Sequence, residues 1–340
     1  MLTRTGLAAL LAASTILTAT GAAAQGELNV YSSRHYDADD QLYAAFEEQT
    51  GITVNRIEAD ADELIARLTA EGQNSPADVF LTVDVGRIWR ADEAGLLQPV
   101  ESEVLEARIP AYLRHPENRW FGISQRARII FYDREDVTEP PLTYAELADD
   151  RFEGQVCIRS SSNIYNQSLL AAIIANEGEE AATEWAAGVV ENFARDPQGG
   201  DTDQLRGIVS GECDIAVANT YYFLRALEGG VDGVSEDIAR IGWVFPNQST
   251  TGAHVNVAAA GVAAHAPNKD NAVKFLEYLA TDEAQAFFAN QNNEYAVVPG
   301  IALAEVPAKM GLFRQDDLNL SALGENQPRA QQIFNQVGWE

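Results

Sequence analysis

The chain is short of the groups that most often carry polar chemistry. Its 340 residues include two cysteines, four histidines and only three lysines, Lys269, Lys274 and Lys309. Two cysteines without a CxxC spacing exclude a structural zinc site built from thiolates. No GxSxG, HExxH or thiol–histidine pattern occurs, and no EF-hand spacing. An exported enzyme, which needs a nucleophile–base pair or an acid–base couple, is therefore the weakest reading. After the first 25 residues no run of about 20 apolar residues exists, so the mature chain is not expected to insert into a membrane. Positive charge is scarce: 23 basic residues face 51 acidic ones, for a formal charge of −28. So acidic a surface repels nucleic acid and anionic lipid, and its simplest role is solubility.

What is present describes a folded protein, with 46% apolar and 22% charged residues and length enough for two domains. Residues 1–24 read as an export signal: Arg4 supplies the positive start, 6–17 the apolar stretch, and Ala22-Ala23-Ala24 a small-residue cleavage site before Gln25. A periplasmic location follows as an expectation. No cysteine lies near that point, so no lipid anchor is indicated. In an oxidising compartment Cys157 and Cys213 have two options. They form one disulfide, closing a loop of about 55 residues, or they stay as two separately buried thiols.

The pattern alternates strand and helix. Expected strands lie at 27–33, 52–57 and 77–82, with helices at 37–49, 62–71 and 86–94 between and after them. That order predicts a parallel sheet covered on both faces. Residues 121–124 and 129–132 look like longer strands suited to crossing between lobes, and 241–245 is another crossing candidate. A second β/α run covers 156–218, and one long helix is expected over 271–290. The expected architecture is an α/β clamshell of two lobes joined by two crossing strands, with a ligand cleft between them. Lobe 1 takes 25–122 plus 250–302, and lobe 2 takes 123–249 plus 303–340.

One stretch organises the rest. Residues 214–218 are apolar and rich in Ile, Val and Ala, Asn219-Thr220 punctuates their end, and a helix is expected from Phe223 to the Gly229-Gly230 pair. Tyr221 and Tyr222 thus sit where a strand hands over to a helix, the place where open α/β sheets bind ligands. His35-Tyr36 and Tyr165 occupy equivalent junctions. The bland reading of any one of these is packing, and Tyr31, Tyr43, Tyr112, Tyr132, Tyr144, Tyr278 and Tyr295 are read that way. Together the four tyrosines suit a hard, highly charged metal ion, because such an ion displaces phenolic protons and binds the anionic oxygens. A neutral His35 supplies a fifth donor, and Arg126 offsets surplus negative charge. A competing reading is a clamshell for an organic cation or oxyanion.

The segments 30–36, 157–168 and 214–222 together resemble the periplasmic ferric-iron-binding proteins of ABC transporters, in their tyrosine-rich branch. The resemblance spans essentially the whole mature chain and implies a class II periplasmic binding protein fold. It implies Fe3+ as the transported ligand, with ferrous iron left open, and an ABC transporter permease as partner. By position it marks Tyr36, Tyr165, Tyr221 and Tyr222 as metal ligands, His35 as a neighbouring ligand and Arg126 as an arginine near the metal. Some relatives use a first-lobe carboxylate and an exogenous anion, which residues near Asp84 would offer. A monomer is expected.

Overall fold

The computed structural model describes residues 26–34 and 36–340; the expected export signal at 1–24, and His35, lie outside the described residues. The strands are β1 (Glu27–Ser32), β2 (Thr53–Glu58), β3 (Val79–Val83), β4 (Leu97–Gln98), β5 (Phe121–Asp133), β6 (Val156–Cys157), β7 (Ile215–Asn219), β8 (Ile241–Val244) and β9 (Val255–Ala263). The helices are α1 (Asp39–Thr50), α2 (Ala61–Glu71), α3 (Val85–Glu93), α4 (Glu103–Arg108), α5 (Ile164–Glu177) and α6 (Glu179–Glu191). They continue with α7 (Asp201–Ser210), α8 (Thr220–Leu227), α9 (Lys269–Leu279), α10 (Asp282–Gln291), α11 (Glu305–Ala308) and α12 (Ser321–Val337).

Strands pair in the order β2-β1-β3-β9-β5-β7-β6, with β4 beside β9 and β8 beside β5. β1 lies parallel to both β2 and β3, as the alternation of strands and helices requires. β6 and β7 repeat the parallel pairing in the second lobe. Between them β5 serves both lobes: its first half, from Phe121 to Ala127, pairs antiparallel with β9, and its second half, from Arg128 to Tyr132, with β7.

Here the architecture refines the expected strands. Residues 121–124 and 129–132 belong to one strand of 13 residues, because the polar stretch between them stays extended. Gln125, Arg126 and Arg128 break the apolar pattern, yet all three are buried in hydrogen bonds and ion pairs. Residues 241–244 form β8, which pairs with 130–133 of β5, and the strand that returns to the first lobe is β9. The long helix expected over 271–290 is two helices. The Thr281 hydroxyl accepts from the Ala284 N–H at 3.3 Å and starts α10 afresh, a local bond that competes with helix continuation.

Three apolar clusters bury these elements. One, with Leu28, Val30, Phe46, Phe80 and Phe275, fills the first lobe. The others cover the two faces of the second-lobe strands: Ile130, Leu170, Val217, Phe334 and Trp339 on one side, Phe131, Ala216, Ala218 and Phe223 on the other. Burial of both faces explains why β7 reads as a continuous apolar run and not as an alternating one. Cys157 and Cys213 are joined as a disulfide across 56 residues of sequence, within the third of these clusters.

Candidate metal centre

Tyr36 follows β1 in the short loop that leads into α1, while Tyr165 lies in the first turn of α5. The Asn163 side chain caps α5 by accepting the Tyr165 N–H at 3.1 Å, so the cap itself orients the residue. α8 begins at Thr220, three residues before the expected start, and this places Tyr221 and Tyr222 inside its first turn. Successive helical residues point about 100° apart, yet both rings still face one space. Their centroids are 4.3 Å apart at a 30° tilt.

All four tyrosines line one cavity of about 260 Å³ between the lobes. Ser33, Arg34, Asp60 and Arg87 border it from the first lobe, and Arg225 from the second. None of the other seven tyrosines lines it among the described residues. The Tyr165 and Tyr221 hydroxyls are 3.4 Å apart, close enough to share one ligand atom between them. Among the described residues no group of three or more His, Cys, Asp or Glu is placed to hold a metal ion.

Guanidinium groups surround these rings. Arg34 lies 4.7 Å from the Tyr36 centroid, and Arg225 lies 5.3 Å from Tyr221, 5.5 Å from Tyr36 and 5.9 Å from Tyr222. Arg126, Arg128 and Arg159 stand 5.6, 5.9 and 5.4 Å from the Tyr165 centroid. Behind them the charges are balanced by buried acids: Arg34 with Asp39 at 3.0 Å and Glu294 at 3.1 Å, Arg126 with Asp84 at 3.3 Å, Arg128 with Asp201 at 3.1 Å. Removing one partner from such a pair leaves an unpaired buried charge, so these acids fix the arginines in place.

Burial controls the phenols. It pushes Tyr36 up to about 12, with Glu294 adding to the rise and Arg34 pulling the other way. Tyr221 is driven well above its ordinary value by burial and then by Tyr165, Tyr36 and Tyr222. Tyr222 rises by burial, Tyr165 and Asp201. These phenols are therefore protonated near neutral pH, and a cation must expel their protons to bind. Once ionised, Tyr165, Tyr221 and Tyr222 gain from the positive ends of α5 and α8, in whose first turns they stand.

The four tyrosines expected from the sequence line this one cavity, whereas Arg126 lies outside its lining, with its guanidinium carbon 5.6 Å from the Tyr165 centroid. Arg34, Arg87, Arg128, Arg159 and Arg225 were missed. Arg225 alone carried a local signal, standing three and four residues after Tyr222 and Tyr221 on the same helix face. The carboxylate of Asp84 does not border the cavity. Both its oxygens accept bonds elsewhere, from Gly86 N–H, Ser168, Asn256 and Arg126.

The profile of the bacterial extracellular solute-binding protein family matches residues 41–314. Iron uptake protein A1 of Synechocystis is 50% identical over 317 residues, covering 93% of this chain and 88% of that protein. A solved Trichodesmium protein (IdiA, FutA), in complex with iron and citrate ligands, is 48% identical with a TM-score of 0.90, over 93% of this chain and all of that one. The ferric binding protein from Campylobacter jejuni is 40% identical with a TM-score of 0.85, over 92% of this chain and 100% of that one.

Proposed function

The chain belongs to the bacterial extracellular solute-binding proteins, and from that premise we propose that it captures ferric iron between its lobes and delivers it to an ABC transporter permease. It is a binding protein and not an enzyme. One observation carries the reading: four phenols from three separate segments line a single cavity ringed by arginines. Arginines would repel a bare organic cation. Four phenolates around a trivalent ion, by contrast, make a complex of net charge −1, which guanidinium groups stabilise.

In this reading Tyr36, Tyr165, Tyr221 and Tyr222 are the ligands, His35 adds an imidazole, and Arg126 balances charge beneath Tyr165. The cargo exchanges one proton per phenol, so capture is linked to pH. The lobes divide as 25–122 with 250–302, and 123–249 with 303–340. The signal at 1–24 is cleaved on export, and the mature chain acts as a monomer in the periplasm. No helix among the described residues is long and apolar enough to cross a membrane.

Metal analysis and an absorption spectrum of the purified protein test the proposal. The expected result is one iron per chain and a broad visible phenolate-to-iron charge-transfer band. An iron-loaded sample without colour overturns it.

A further inference from the structure

Asp84 stands in the turn between β3 and α3 with φ of 79° and ψ of 125°, a conformation that L residues rarely adopt. A non-glycine residue persists there only when its surroundings hold it. Its carboxylate is 1% exposed and saturated. Oδ1 accepts from the Ser168 hydroxyl at 2.7 Å and the Gly86 N–H at 3.0 Å, and Oδ2 accepts from Asn256 at 2.9 Å and Arg126 at 3.3 Å.

These partners point in a common direction. Ser168 lies on α5 three residues after Tyr165, so the two share a helix face. Gln327 of α12 also donates to the Ser168 hydroxyl, at 3.4 Å. Arg126 is buried beneath the Tyr165 ring, and its Nη1 has no hydrogen-bond partner among the described residues. Only Asp84 pairs with this guanidinium among the described residues. A first-lobe carboxylate thus grips both the helix that carries a second-lobe tyrosine and the cation under that tyrosine. Capping α3 through Gly86 uses one of its four bonds and leaves three unexplained.

We propose that Asp84 is a positioning residue for the metal centre, holding Arg126 under Tyr165 and tying the Tyr165 helix to the first lobe through Ser168. The inference rests on Tyr165 being an iron ligand. Its negative charge also sets how much of the Arg126 charge reaches the bound ion.

Two variants test it. Asp84→Asn keeps the shape, the α3 cap and the tolerance for positive φ, and removes the charge together with the oxygen that accepts from Arg126 and Asn256. Ser168→Ala keeps the charge and removes the tie between lobes. Both are compared with wild type for iron affinity, by competition with citrate, and for the reduction potential of the bound iron. Far-UV circular dichroism of the iron-free proteins checks folding. Removing a negative charge favours the ferrous state, so Asp84→Asn is expected to raise the potential. Ser168→Ala is expected to lower affinity about fivefold or more and to leave the potential where it was. A wild-type potential in iron-loaded Asp84→Asn, or a wild-type affinity in Ser168→Ala, overturns the proposal. Should Asp84→Asn fail to fold, the affinity of Ser168→Ala decides alone. Absence of the charge-transfer band in the wild type would instead defeat the iron reading itself, so the two failures are distinguishable.

Discussion

Tyr36 reaches the cavity from a short loop between β1 and α1, whereas Tyr165, Tyr221 and Tyr222 stand on the first turns of α5 and α8. The three helical tyrosines share one buried scaffold. Arg128 donates to Asp201, Asn166 and Asn219, and Asp201 accepts the Asn219 N–H at 2.8 Å, so the starts of α5, α7 and α8 are bound together. Tyr36 has its own support in Arg34, Asp39 and Glu294, but this reaches one of the four tyrosines. In the proposed site the second lobe would therefore present three of the four ligands on one tied scaffold, and the first lobe would complete the set.

The largest effect expected from this arrangement is on pH dependence. Tyr36, Tyr221 and Tyr222 are all shifted upward, so below about pH 10 each must lose a proton on binding, and affinity falls as pH falls. These three phenols alone contribute about three decades of affinity per pH unit. Proton release measured by calorimetry in two buffers checks the count, and Tyr36→Phe should release one fewer. Next comes the scaffold: Arg128→Ala leaves buried Asp201 with the more distant Arg159, at 3.7 Å, and should destabilise the iron-free protein by about 3 kcal/mol, read from urea unfolding. A loss below 1 kcal/mol would break the contrast between a preformed half and a completing one. Tyr221→Phe should then cost roughly 100-fold or more in iron affinity, above the usual effect of an outer partner, while Tyr36→Phe costs about tenfold. Equal losses at the two positions would erase the asymmetry between the lobes.

Much of this was legible in the chain. The β/α alternation and the four junction tyrosines follow from local rules, since apolar runs, caps and turn residues act within a few positions. The start of α8 was read three residues late because Tyr-Tyr carries no strong helix signal. The arginine ring was not legible, since Arg34, Arg87, Arg128, Arg159 and Arg225 meet only through tertiary packing. The polar middle of β5 misled for a similar reason: Arg126 and Arg128 look like a strand break until their buried acids, Asp84 and Asp201, are placed beside them. Long-range pairing of charges leaves no periodicity to read.

β5 belongs to both lobes, and that has a mechanical consequence. A continuous hydrogen-bonded strand acts as an axle about which the two halves swing, and it resists being broken. Arg126 and Arg128 lie on that axle, 5.6 and 5.9 Å from the Tyr165 ring. These distances run from the guanidinium tips, so the two side chains carry the contact from the shared strand to the Tyr165 ring. Were the lobes to part about β5 around the proposed ion, Tyr36 would leave with the first lobe while Tyr165, Tyr221 and Tyr222 stayed together on the second.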